Sequence, residues 1–177
     1  MSGHNKWSKI KHKKAATDAQ KSKIFSKHAS LIAIESRNAG GDITSPGLKA
    51  AIERAKKDSM PSANIDRAVK KGTGGEAGAL EQVMYEAYGP GGTAIIIEGV
   101  TDNRNRTAAE MKHLLSVHGL SLAAPGAASW AFQKNTEMEW VPTTTVSLSE
   151  EDGNKLSEII EAIEEHDDVN DVYTNAE

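Results

Sequence analysis

No cysteine occurs among the 177 residues, which removes disulfides, thiolate metal sites and cysteine nucleophiles from consideration. No stretch reaches the roughly 18 to 20 consecutive apolar residues that a membrane helix needs. The N-terminus also lacks the apolar core of a signal peptide. The chain therefore reads as soluble, unsecreted and cytoplasmic, with an organellar matrix as the alternative if a targeting segment was removed. Catalytic signatures are missing as well. There is no P-loop, nucleophile elbow or paired dinucleotide fingerprint, and "GPGG" at 89–92 lacks the helix and lysine that phosphate cradling requires. Of the six histidines, His4, His12 and His28 lie where lysines would repel a metal cation. His113, His118 and His166 show no acid-and-histidine cluster at ligand spacing. The expectation is a protein without enzymatic activity, cofactor or metal.

What is present is an uneven distribution of charge. The formal net charge of -4 conceals sixteen Lys and Arg against six Asp and Glu in residues 1–75, a balance of +10. Residues 76–177 carry five basic and nineteen acidic residues, a balance of -14. Such asymmetry joins a module that faces a polyanion to one that repels it, because a basic surface gains affinity by releasing counterions from phosphates.

Local patterns divide the chain at the same place. From Ala15 to Asn38 apolar residues recur at three- and four-residue spacings without Pro or Gly, which predicts a helix closed by "NAGG" at 38–41. A second helix is predicted from about Pro46 to Lys57, and a third from Pro61 to Lys71, with Pro61 at its first position and Gly72 as its stop. "GTGGEAGA" at 72–79 reads as a linker. The expected domains are 1–75, basic and helical, and 76–177, acidic. Beyond 80 the pattern is a strand near 82–88, a tight turn, the apolar strand "TAIIIEGV" at 93–100, and a helix near 103–118 in which Thr107 and Glu110 have capping-box spacing. Strands near 127–133 and 137–148, a helix at 149–166 and a strand at 168–175 complete the order. The expected fold is α+β: a three-helix domain followed by a ferredoxin-like sandwich of an antiparallel sheet and two helices, with one extra strand ahead of it.

The candidate binding residues begin with the arm "HNKWSKIKHKK" at 4–14, which holds no acid. Lys6, Lys9, Lys11, Lys13 and Lys14 suit phosphate contact, with His12 among them, and Trp7 suits stacking on a base. The alternative is a cationic tail whose Trp7 folds back onto the helices. Lys21, Lys23 and Lys27 extend positive charge along the first helix, where they oppose its dipole. Arg67, Lys70 and Lys71 belong to the third helix, and for Lys70 and Lys71, as for Lys56 and Lys57, interaction with the helix C-terminus is the simpler account. Arg104 and Arg106 in "TDNRNRTAAE" suit either phosphate contact at a helix start or pairing with nearby acids. The acid-rich helix 149–168 is a solvated face or a dock for a basic protein.

The stretches "GHNKWSKIKHKKAATDAQKSKIFSK" (3–27), "MPSANIDRAVKKG" (60–72), "YEAYGPGGTAIIIEGVTDNRNRTAAE" (85–110) and "DDVNDVYTNAE" (167–177) resemble the YebC family, which includes the mitochondrial translational activator of cytochrome oxidase. The resemblance implies a three-helix N-terminal domain, following α/β domains, no enzyme activity, and a role in gene expression as a DNA-binding transcriptional regulator or a translation factor. It places the arm Lys6 to Lys14 and Lys70 to Gly72 among nucleic-acid-facing segments. Three features depart from the family pattern, the first being that "LAAPGAASW" at 122–130 lacks the polar Gly-Glu-Ser type turn expected there. An α/β domain usual between "SWAFQK" and "MEWVPTTTV" is reduced here to "NTE" near 134–138, and Ala87 stands where the family carries glycine.

Thirteen lysines against three arginines in the basic half suit phosphate contact better than bidentate reading of bases. Between the two roles that the resemblance implies, composition therefore favours the translation factor, with ribosomal or other RNA as partner and basic ribosomal proteins as further partners of the acidic half. DNA and transcription form the second reading.

Overall fold

The structure is a computed structural model that describes residues 17–177. The described residues form two compact units. One takes in the residues through Val83 together with Gly99–Arg104, and the other comprises Met84–Glu98 and Asn105–Glu177.

The first unit is built on three helices, α1 (Asp18–Ala39), α2 (Pro46–Lys57) and α3 (Ser62–Thr73). Thr17 starts α1 through a capping box: its hydroxyl accepts the Gln20 N–H at 3.3 Å, and Gln20 Oε1 accepts the Thr17 N–H at 2.8 Å. This satisfies two of the amides that a helix start leaves without partners. Gly40, at φ 60°, ends it. Ile32, Leu48, Ala55, Ile65 and Ala68 meet in a buried cluster, and each large side chain removed from water contributes about 1.5–3 kcal/mol.

Two details of α3 differ from the sequence reading. Pro61 is its N-cap rather than its first helical residue. Gly72 does not stop the helix but lies buried inside it. The reason is packing: a Cβ at Gly72 would sit 2.3 Å from the Ala33 carbonyl oxygen and 2.7 Å from Ser36 Cβ. Only glycine lets α3 approach α1 this closely, and Ser36 Oγ donates to the Val69 carbonyl at 2.7 Å across the same contact. The stretch expected to be a linker is also held in place. The Arg37 guanidinium donates to the carbonyls of Ala77 (2.5 Å) and Leu80 (2.8 Å), and Ala77 is fully buried.

The remaining elements are β1 (Glu81–Tyr88), β2 (Ala94–Thr101), α4 (Arg104–Val117), β3 (Leu122–Ala123), β4 (Phe132–Lys134), β5 (Trp140–Pro142), α5 (Glu150–Glu164) and β6 (Val169–Thr174). A four-stranded sheet has the order β3-β1-β2-β6, and β3 runs antiparallel to β1. The α+β class and the sheet with two helices are as expected. The strands expected at 127–133 and 137–148 shrink to 132–134 and 140–142, and they pair with each other in a separate two-stranded sheet. Strand β1, expected as an addition, occupies the interior place beside β2 that the sequence order gave to 137–148. The tight Pro90–Gly92 turn brings it there first.

Strand β2 is buried on both faces, which accounts for the apolar run from Ala94 to Ile97 at its start. Ile95 and Ile97 pack with Met111 and Leu115 of α4 and with Leu156 and Ile163 of α5. Ala94 and Ile96 pack with Ala128, Ala131 and Phe132. Glu98 anchors the small hairpin by accepting from Trp140 Nε1 at 2.8 Å and Lys134 Nζ at 3.1 Å. Glu86, 3% exposed, holds the loop before β4: its carboxylate accepts the N–H groups of Gly126 (2.5 Å), Ala128 (3.1 Å) and Ser129 (2.5 Å). Burial alone pushes this carboxyl up, but the Gly126, Ser129 and Ala128 donors outweigh it and hold the pKa below the ordinary value.

Two outcomes follow. Helix propensity alone favours Gly72→Ala by about 1 kcal/mol, whereas the clash with Ala33 is expected to make the variant less stable by about 1–3 kcal/mol. A denaturant midpoint at or above the parent's would contradict the close approach. Glu86→Gln is expected to cost on the order of 2 kcal/mol near neutral pH. Because the folded pKa is depressed, the stabilisation is complete above the unfolded value of 4.5 and fades as pH falls through the lower folded value. Unfolding titrations across the acid range are expected to show that fading in the parent and not in the variant, and parallel profiles would contradict it.

Candidate nucleic-acid interface

The first turns of α1 and the length of α3 lie side by side in the helical unit and enclose an open groove of about 580 Å³. Its α1 wall is Asp18, Lys21, Ser22, Phe25, Ser26 and Ala29, a set spaced for one helix face. The opposite wall is Met60, Asn64, Arg67, Ala68 and Lys71. The floor is apolar, with Phe25 and Ala29 packed against the helical core and Met60 and Ala68 buried within it. The rim is cationic: Lys21, Arg67 and Lys71 are all exposed. Arg67 is steadied by Asn64 Oδ1, which accepts from its Nη2. Among the described residues no side-chain hydrogen bond or ion pair engages Lys21 or Lys71. Asp18 is the acidic member of the lining. Three cations around an apolar floor create a positive potential that counter-anions relieve.

The structure thus brings together Lys21, Arg67 and Lys71 from the sequence candidates. Lys23 and Lys27 do not line this groove and make contacts of their own. Lys70 is exposed in the last turn of α3, outside the lining. Lys6, Trp7, Lys9, Lys11, His12, Lys13 and Lys14 lie outside the described residues. Phe25, Met60 and Asn64 had not been singled out for binding. The spacing of 18, 21, 22, 25, 26 and 29 carried the signal, but Phe25 was absorbed into the apolar stripe.

Arg104 and Arg106 are held by acids and carbonyls. Arg104 Nε lies 3.4 Å from Glu81 and its Nη2 donates to the Gln82 carbonyl at 3.3 Å. Arg106 Nη2 lies 2.9 Å from Asp168 Oδ2, which also accepts from the Thr107 hydroxyl at 2.7 Å. The capping box expected from Thr107 and Glu110 does not form, because both side chains turn to the loop before β6, Glu110 pairing with His166 Nε2 at 2.8 Å.

Glu110, His166 and Asp168 place their potential ligand atoms within 4.8 Å of one another, a cluster that sequence spacing could not show because it joins α4 to a distant loop. Its donor set is already committed. His166 Nδ1 accepts the Asp168 N–H at 3.1 Å, so the ring proton sits on Nε2 and points at Glu110. A cation there would have to displace that proton and share Asp168 with a guanidinium. The cluster is better described as a clasp joining α4 to β6.

Comparison with known proteins gives a consistent result. The family model described as the TACO1/YebC protein N-terminal domain matches residues 5–75. The model described as the TACO1/YebC second and third domain matches residues 80–136 and 133–176. A probable transcriptional regulatory protein of Thermotoga maritima is 37% identical over 238 aligned positions that include all of this chain and 94% of the relative. Another, from Thermoanaerobacter pseudethanolicus, is 38% identical over 239 positions, covering 100% of this chain and 97% of its own. A crystal structure of a conserved hypothetical protein from Aquifex aeolicus superimposes with a TM-score of 0.81 at 33% identity, covering 97% of this chain and 96% of that one.

The pairing of Arg106 generates a separable outcome. Arg106→Ala is expected to lower stability by about 1–2 kcal/mol, because its partner Asp168 is only 14% exposed, and to leave any nucleic-acid affinity within a factor of about two. A large loss of affinity at unchanged stability would return Arg106 to the interface.

Proposed function

The chain belongs to the TACO1/YebC family, and from that premise we propose that it is a non-enzymatic regulator of gene expression that binds nucleic acid through its basic N-terminal half. The observation that carries this is the cationic groove between α1 and α3, which Lys21 of α1 and Arg67 and Lys71 of α3 line together with an apolar floor. The lysines of the arm, from Lys6 to Lys14, precede α1 in the sequence and add to the positive charge of this half. Lys23, Lys27 and Lys70 supply further positive charge on the same helices. Arg104 and Arg106, held by Glu81 and Asp168, belong to the architecture of the chain.

The names of the relatives, probable transcriptional regulatory proteins, favour transcription, and with it DNA, the reading that composition had placed second. One observation keeps translation and RNA as a second reading: thirteen lysines against three arginines in residues 1–75, a ratio suited to phosphates rather than base edges. The acidic half fits either process as the part that stays off the polyanion and faces basic protein, and a cytoplasmic setting fits both. We also assign the short β4–β5 hairpin to the place where relatives carry further sequence. The alignment with the Thermotoga maritima relative runs over 238 positions although this chain has 177 residues, and the family match breaks at 133–136.

The arm tests the proposal. Replacing Lys9, Lys11, Lys13 and Lys14 with alanine is expected to weaken binding and flatten its salt dependence, each lost phosphate contact removing about 0.9 from the log-log slope on duplex DNA or about 0.7 on single strands. Anisotropy titrations at several salt concentrations, with duplex DNA and RNA in parallel, read both the slope and the preferred polymer. An unchanged slope on both polymers would overturn the arm as a phosphate-binding segment.

A further inference from the structure

The groove between α1 and α3 has two chemistries at once, and simple phosphate binding uses only one of them. A surface that only tracks phosphates needs cations. It has no use for the apolar lining of Phe25, Ala29 and Met60 that shares this groove with Lys21, Arg67 and Lys71.

Three occupants fit an apolar floor of this size. The chain's own arm carries Trp7 and Ile10, but it also carries five lysines between residues 6 and 14, and a cationic rim repels them. An acidic peptide satisfies the rim, yet its carboxylates leave the floor unfilled. An unpaired nucleotide satisfies both, because its base is a flat apolar surface able to stack on an aromatic ring while its flanking phosphates meet the rim. Asn64, whose Oδ1 orients Arg67, adds a polar edge beside the floor. A base still paired in a duplex is stacked on its neighbours and cannot enter such a recess without being turned out of the helix.

Resting on the nucleic-acid reading above, we infer that this groove receives an unpaired base of a single strand, with Phe25 and Met60 beneath the base and Lys21, Arg67 and Lys71 on its phosphates. The helical unit then distinguishes unpaired from paired nucleic acid, which a purely electrostatic arm does not do.

The test is anisotropy with the full chain and twelve-residue probes: a uridine strand, its deoxyuridine counterpart, an abasic strand of equal charge, and a duplex. The base-bearing strands are expected to bind about tenfold more tightly than the abasic strand, in line with stacking on an aromatic side chain. Whichever of the ribose and deoxyribose strands shows the larger difference identifies the polymer. Ser26→Leu, at an exposed position on the groove wall, narrows the recess without removing a core side chain or a cation and without adding an aromatic ring. It is expected to bring the affinity ratio of base-bearing to abasic strands close to one, a ratio that a uniform loss of electrostatic affinity leaves unchanged. Ser22→Leu provides the same plug should Ser26→Leu fail to fold. Equal affinity of the parent for abasic and base-bearing strands overturns the inference while leaving the nucleic-acid reading intact. Binding of an oligoglutamate of equal charge as tightly as the uridine strand overturns it in favour of an acidic protein. Absence of binding to every nucleic-acid probe removes the underlying reading itself.

Discussion

The close approach of α1 and α3 at Ala33 and Gly72 is the constraint on which the candidate site depends. It is possible because Gly72 has no side chain, and Ser36 fixes it by bonding the Val69 carbonyl. Further along the same pair of helices, towards the start of α1, the walls separate enough to leave a groove whose rim holds Lys21 on one side and Arg67 and Lys71 on the other. Like charges across a groove repel one another, and the buried contacts of Ile32, Leu48 and Ile65 hold them in place. The rim therefore carries a local excess of positive charge, which favours an anion there.

The acidic half uses its carboxylates differently. Glu86 gathers three backbone amides of one loop, Glu98 anchors the β4–β5 hairpin, and Glu110 and Asp168 clasp α4 to β6. Part of the balance of -14 is therefore structural. By contrast, Lys21, Arg67 and Lys71 point outward from the helical half. The two halves differ in how charge is employed as well as in its sign.

Much of this was legible in the sequence because it is local. The periodicity of α1, the helix that became α5, the apolar run of β2 and the tight turn before it are all encoded within a few residues. The charge boundary was visible by counting. What sequence could not show depends on distant partners. Gly72 reads as a helix stop unless Ala33 is known to lie against it. Thr107 and Glu110 read as a capping box unless Asp168 and His166 are known to compete for them. The segment 127–148 reads as two strands of the main sheet, but β1 takes the place beside β2 through a shorter connection. The groove was half legible: its cations were identified, and its aromatic floor was assigned to the core, where Phe25 does in part belong.

The central claim is that nucleic acid is held by the helical half of the chain and not by the acidic half. Hydrogen exchange of the full chain, with and without a single-stranded oligonucleotide, measures this most directly. The account predicts added protection confined to the N-terminal half, strongest in the first turns of α1 and along α3. Protection centred on β1–β6 or α5, with α1 and α3 unchanged, would contradict it.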